Sequence, residues 1–178
     1  LILPFTPGMI WNFTGGPHGA WEREGSWSAI DFAPSGFGGM CSKSYAYVTA
    51  SAPGLIVRAE DGVVIINMDF NDNEHSGWVL LYLHIATEGR IVNEGDEVDT
   101  GDWLGHPSCE GGISTGTHVH MARKYNGEWM TADGPIPFVL SGWTVHNGAR
   151  SYQGSMTKPG ENMVIASSLS AAGSQIKR

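Results

Sequence analysis

Residues 112–122 read GISTGTHVHMA and set two of the chain's seven histidines, His118 and His120, two positions apart after a Gly/Ser/Thr-rich loop. On a strand of period two, both point to the same face. Two imidazoles on one face can share a cation, or one can hold it while the other serves a reaction beside it. As purely structural residues they would be half-buried and hydrogen-bonded in a core. A catalytic zinc takes three protein ligands and leaves a fourth position open, so further donors are needed. The segment PHGAWEREGSWSAID, residues 17–31, offers His18 in a Gly/Pro-rich stretch and Asp31 after an apolar Ile. Alone, the first would read as a solvated loop histidine and the second as a turn residue. With the doublet they complete a His/Asp/His set of nitrogen and oxygen donors, which zinc accepts. His84 ends VLLYLHIA on the face of Leu80 and Tyr82. It is either an interior histidine bonded to a carbonyl or a further imidazole at the site. His75, His106 and His146 lie in turn-like or Gly-flanked segments and read as surface residues.

The elements that must position these residues read as short strands. VVIINMDF (63–70) and WVLLYLHIA (78–86), separated by the turn cluster NDNEHSG, make a β-hairpin. GTHVHMARKYNGEWM (116–130) makes a second, with Asn126-Gly127 at its tip. SYAYVTASAPGLIVRAEDG (44–62) gives two strands broken at Pro53-Gly54. Residues 1–40, rich in Gly, Pro and Trp, read as loops with short strands. Residues 155–178 read as a loose or helical tail. Helical periodicity is otherwise nearly absent and no internal repeat is apparent. The expected fold is mostly β, an antiparallel sandwich or partly open barrel in one domain over residues 1–178.

Composition narrows the partners. The chain has 178 residues, 25 of them glycine, and only 16% charged residues, a balance suited to a turn-rich β protein. A net charge of −8 leaves no basic stripe for nucleic acid and no attraction to an anionic membrane. No apolar run is long enough for a transmembrane helix, and the opening LILPFTPG is too short for a signal peptide. Cys41 and Cys109 are either one disulfide, as an oxidising compartment would allow, or two unrelated buried thiols. Trp11, Trp21, Trp27 and Trp143 are candidates for groove walls or for core.

These residues resemble the zinc endopeptidases of the lysostaphin and staphylolysin type, which cut peptidoglycan cross-bridges. The signature is a His, then an Asp, then a His-x-His, matched here by His18, Asp31 and HVH at 118–120. CEGGISTGTHVHMARKYNG resembles the staphylolysin form, including its Cys-Glu-Gly-Gly. LLYLHIA resembles the strand carrying the family's additional histidine, and GRIVNEGDEVDTGDWLG its turn-rich segment. The resemblance implies a zinc groove with His18, Asp31 and His120 as ligands of Zn2+, His118 beside the reacting water and His84 opposite it. Tyr152, in GARSYQGS, would line the site. It further implies a secreted or periplasmic hydrolase acting on peptidoglycan peptides at Gly-Gly bonds; a monomer is expected, and the charge balance above leaves no nucleic acid or membrane partner. Cys109 matches the family's position. Cys41 lies elsewhere than the usual partner, and a second C-terminal cysteine pair is missing. The alternatives are a catalytically silent relative serving as a wall-binding or scaffold module, a β-rich carbohydrate-binding or structural module whose histidines merely hydrogen-bond, and an endopeptidase cutting a bond that bears a D-residue.

Overall fold

The computed structural model describes residues 1–21, 25–36 and 40–178. The first strands are β1 (Ile10–Gly19), β2 (Trp27–Pro34), β3 (Val48–Thr49), β4 (Gly54–Glu60) and β5 (Val63–Asn67). Then come β6 (Trp78–Leu83), β7 (Glu97–Val98), β8 (Trp103–Gly105), β9 (Val119–Tyr125) and β10 (Glu128–Trp129). The last are β11 (Val139–Leu140), β12 (Trp143–Asn147), β13 (Gly154–Thr157), β14 (Val164–Ile165) and β15 (Gln175–Lys177). The main sheet runs β15-β1-β2-β9-β6-β5-β4-β7 with β10 added to β9; β11 to β14 form a second sheet and β3-β8 a third. All pairings are antiparallel. The main sheet keeps two free edges, so no barrel closes. Helical structure among the described residues is one 3-10 turn, Ala172–Ser174, and no helix among them is long and apolar enough to cross a membrane.

Period-two alternation explains why the central strands are apolar throughout. In β5 and β6, Val64, Ile66, Leu80 and Tyr82 enter the larger core, while Val63, Ile65, Val79, Leu81 and Leu83 enter a smaller cluster on the opposite face. Each such fully buried side chain contributes roughly 1.5–3 kcal/mol. The two hairpins fold as their turns dictate. Asn126 (φ 49°) and Gly127 (φ 83°) supply the two positive φ values that a tight two-residue hairpin turn needs.

Two expectations are corrected. Ile10–Gly19 and Trp27–Pro34 are two long paired strands rather than loops with short strands. Gly15, Gly16 and Pro17 look like breakers but sit where the register of β1 against β2 shifts, at bulges that tolerate them. The tail is neither loose nor α-helical. Ile176, 2% exposed, pairs with Trp11 and anchors β15 against β1. Cys41 and Cys109 are bridged, with Cα atoms 5.8 Å apart. Trp11 and Trp143 are core residues, whereas Trp21 is half exposed.

Candidate metal centre

The sheet register builds the site. Asp31 on β2 is directly paired with His120 on β9, which is paired with Leu83 on β6. Paired positions project to one face, here the face of the smaller apolar cluster, where space is left for a groove. His18 reaches the same point from β1, paired with Ala29. The glycine paired with Asp31 is Gly15, and a Cβ there would stand 2.2 Å from Asp31 Oδ2. Glycine at this position therefore clears room for the carboxylate. Gly15→Ala is expected to displace Asp31 and weaken zinc affinity by roughly 10- to 100-fold. Competition against a chromophoric chelator measures this, and unchanged affinity would mean that the carboxylate can shift without loss.

His18 Nε2, Asp31 Oδ1 and His120 Nδ1 form a triangle with sides of 3.0, 3.1 and 3.4 Å. The outer nitrogen of each ring is tied to a carbonyl: His18 Nδ1–H donates to Gly16 O (2.8 Å) and His120 Nε2–H to Ala20 O (2.7 Å). A carbonyl only accepts, so those nitrogens carry protons, and in the neutral rings both inner nitrogens present lone pairs. Two lone pairs and a carboxylate oxygen thus converge with no proton between them. Burial, the largest influence, lowers the His18 pKa. Burial would raise that of Asp31, but positive charge at His18, His118 and His120 outweighs it and holds the carboxyl below its ordinary range; where those rings are neutral, a bound cation has to supply that charge instead. A neutral imidazole and an ionised carboxylate in one buried spot call for a cation. Donors around tetrahedral zinc at about 2.0–2.1 Å are separated by about 3.3 Å, so the triangle fits Zn2+. His18, Asp31 and His120 are a candidate metal-binding group among the described residues.

His118 and His84 stand beside this triangle. His118 Nε2 is 3.7 Å from Asp31 Oδ1, and the His84 and His118 rings are 4.4 Å apart. His118 Nδ1–H donates to Gly116 O and His84 Nδ1–H to Glu110 O, both at 2.7 Å. In the neutral form of each ring, Nε2 is then the nitrogen left to accept a proton. Tyr152 stacks on His18, ring centroids 4.0 Å apart. All six residues line one groove of about 1100 Å³, walled by residues 111–117 on one side and Trp21, Tyr152 and residues 166–170 elsewhere. Trp27 is outside this lining, as are His75, His106 and His146. His106 and His146 are half-buried and bonded to Ala46 O and Thr157 Oγ1. The carbonyl partners of the rings, Gly16, Ala20, Glu110 and Gly116, leave no side-chain signal in the sequence.

Burial, with His118 adding to it, lowers the His84 pKa from 6.5 to about 4. The unfolded chain then takes up this proton first as pH falls, so the folded state is disfavoured between pH 6.5 and about 4. The metal-free protein is expected to lose up to about 3 kcal/mol across that window through His84. Asp31, whose pKa is also depressed, acts in the same sense but only below its unfolded value of 3.8. Urea midpoints of metal-free wild type and His84→Gln at pH 7 and 4.5 test this; parallel pH dependences would refute it.

No family model matches the chain. It is 27% identical over 175 residues to the beta-lytic metalloendopeptidase of Achromobacter lyticus, a match covering 91% of this chain and 43% of that protein. It is 30% identical over 142 residues to protease LasA of Pseudomonas aeruginosa, covering 74% of this chain and 31% of that protein. The chain thus spans less than half the length of these curated relatives. Among solved structures, an M23 metalloprotease from the deep sea, pseudoalterin, matches with a TM-score of 0.75 and 26% identity, over 93% of this chain and 94% of that one. A zinc-containing peptidase from Vibrio cholerae shares the fold at 16% identity and a TM-score of 0.51, over 75% of this chain and 41% of that one. Fold and donor set together define a zinc metallopeptidase domain of the His, Asp, His-x-His kind. In sequence and fold the chain matches metallopeptidases of the M23 type, the lysostaphin and staphylolysin kind.

Proposed function

We propose that the chain is a zinc endopeptidase that hydrolyses peptide bonds in bacterial peptidoglycan cross-bridges, with Gly-Gly as the preferred bond. The observation that carries this reading is the triangle of two lone-pair nitrogens and one carboxylate oxygen at the floor of an open groove. His18, Asp31 and His120 would hold the metal. Zinc, when bound, supplies Lewis acidity that activates water and polarises a carbonyl. His84 and His118, neither needed as a ligand, would receive a proton at Nε2 and return it to the leaving amine. Their Nδ1–H bonds fix the rings so that Nε2 faces the groove in both. Tyr152, at the rim, would offer its phenol to the substrate oxygen that becomes negative.

The Gly-Gly preference would be set between residues 111–117 and Tyr152, which flank the triangle in the groove lining. The disulfide supports an extracellular setting, since such bridges persist in oxidising compartments. The test is incubation of the purified protein with pentaglycine and with defined muropeptides, followed by mass analysis. Cleavage between glycines, stopped by a chelator and restored by zinc, is the expected result. Cleavage only at a bond bearing a D-residue would replace the Gly-Gly assignment. Zinc binding without cleavage of any peptide would favour a wall-binding module.

A further inference from the structure

The Cys-Glu-Gly-Gly run that precedes the histidine doublet takes no part in the metal triangle. Its surroundings connect it instead to the two imidazoles outside that triangle. His84 O accepts the Ser108 N–H at 2.7 Å, and Ser108 O accepts the His118 N–H at 3.2 Å. Glu110 O accepts the His84 Nδ1–H at 2.7 Å. The tripeptide 108–110 therefore sets the backbone of both histidines and the tautomer of one. Glu110 is itself fixed, its carboxylate accepting the Thr87 N–H (2.9 Å) and Oγ1–H (2.6 Å). His84 has φ 67°, a left-handed conformation that a non-glycine residue keeps only where its surroundings impose it.

The bridge closes this arrangement. Cys41 holds Cys109 at the start of the groove wall. Beside it, Ser42 N–H donates to Thr117 Oγ1 (2.9 Å) and Thr117 N–H to Met40 O (3.2 Å), gripping the far end of the same wall. Residues 40–42 thus strap both ends of the 109–117 loop, one end covalently. His18, Asp31 and His120 depend on none of these contacts. They ride on β1, β2 and β9 and are oriented by Gly16 and Ala20.

We propose that the Cys41–Cys109 bridge, acting through Glu110 on His84 and through Ser108 on His118, is a positioning device for these two histidines, separate from the elements that hold the metal. Opening it with a small dithiol transfers two electrons and two protons to the bridge, giving two thiols and oxidised dithiol. The metal ligands stay in place while the His84 ring loses its fixed partner. The inference rests on the reading that these two imidazoles handle the reaction's proton.

The test compares the zinc-loaded wild type, the same protein reduced and alkylated, and the Cys41→Ser/Cys109→Ser pair. Three quantities are read: zinc content, kcat and KM on the cleaved peptide, and the imidazole 15N–1H correlations. Zinc content and KM are expected to hold while kcat falls by between about tenfold and a hundredfold, the scale of a small misplacement. The His84 Nδ1–H correlation should vanish while those of His18 and His120 persist. Wild type reduced without alkylation and then reoxidised should regain full kcat. Reduction after folding keeps the test decisive if the serine pair does not fold. An unchanged His84 correlation, or loss of zinc together with turnover, would overturn the proposal. Were no form to cleave any peptide, the imidazole correlations would still decide it, and only the proposed activity would fall.

Discussion

Purified His120→Ala protein is expected to hold less than about a tenth of the parent's zinc and to lose cleavage by roughly a thousandfold or more, since a catalytic site needs its third protein ligand. His120 Nδ1 stands 3.0 Å from His18 Nε2 and 3.1 Å from Asp31 Oδ1, so its removal leaves two donors and a wide gap. The effect should be local. Residue 120 sits between Asp31 and Leu83 in the centre of the sheet, and alanine is compatible with that strand. Circular dichroism should therefore match the parent while atomic spectroscopy reports the missing metal. A variant that kept both its zinc and its turnover would remove the basis of the proposed chemistry.

The second large effect separates the metal from the proton. His84→Ala and His118→Ala should each keep zinc yet lower kcat by about 10²- to 10⁴-fold, the usual range for a positioned acid or base. The double variant should fall well short of the product of the two losses, because groups acting as a unit are not additive. His84 allows a further control. At φ 67° glycine is unstrained where alanine is not, so His84→Gly should be the more stable of the two while being equally inactive. If either histidine can be replaced with turnover intact, that imidazole has no part in the reaction.

Much of this was legible in the residues, for identifiable reasons. Asn126-Gly127 and the apolar runs of β5 and β6 carry strong local signals, and both hairpins form where those signals lie. The strands β1 and β2 were obscured because Gly15, Gly16 and Pro17 look like chain breakers. Their small size answers to contacts distant in sequence: a Cβ on Gly15 would meet Asp31 Oδ2, and one on Gly16 the backbone of Gln153 at 2.4 Å. The β15 edge was hidden in the same way, its place depending on Ile176 fitting beside Trp11 rather than on any local pattern. At the site, His18, Asp31, His84, His118, His120 and Tyr152 were all named from their types, spacing and likeness to a family, and the fold brings them to one groove. What residue types could not supply was orientation. That comes from main-chain carbonyls, which every residue but the register conceals.

The three convergent donors ride on the rigid centre of a sheet, whereas Trp21, Tyr152, the 111–117 segment and the exposed tip of Leu169 come from connecting stretches. Lengthening, shortening or grafting such stretches leaves strand register untouched. A scaffold of this kind lets bond preference drift, or be redesigned, without rebuilding the reactive core. Chimaeras that exchange only these connectors are a direct route to new cleavage specificities.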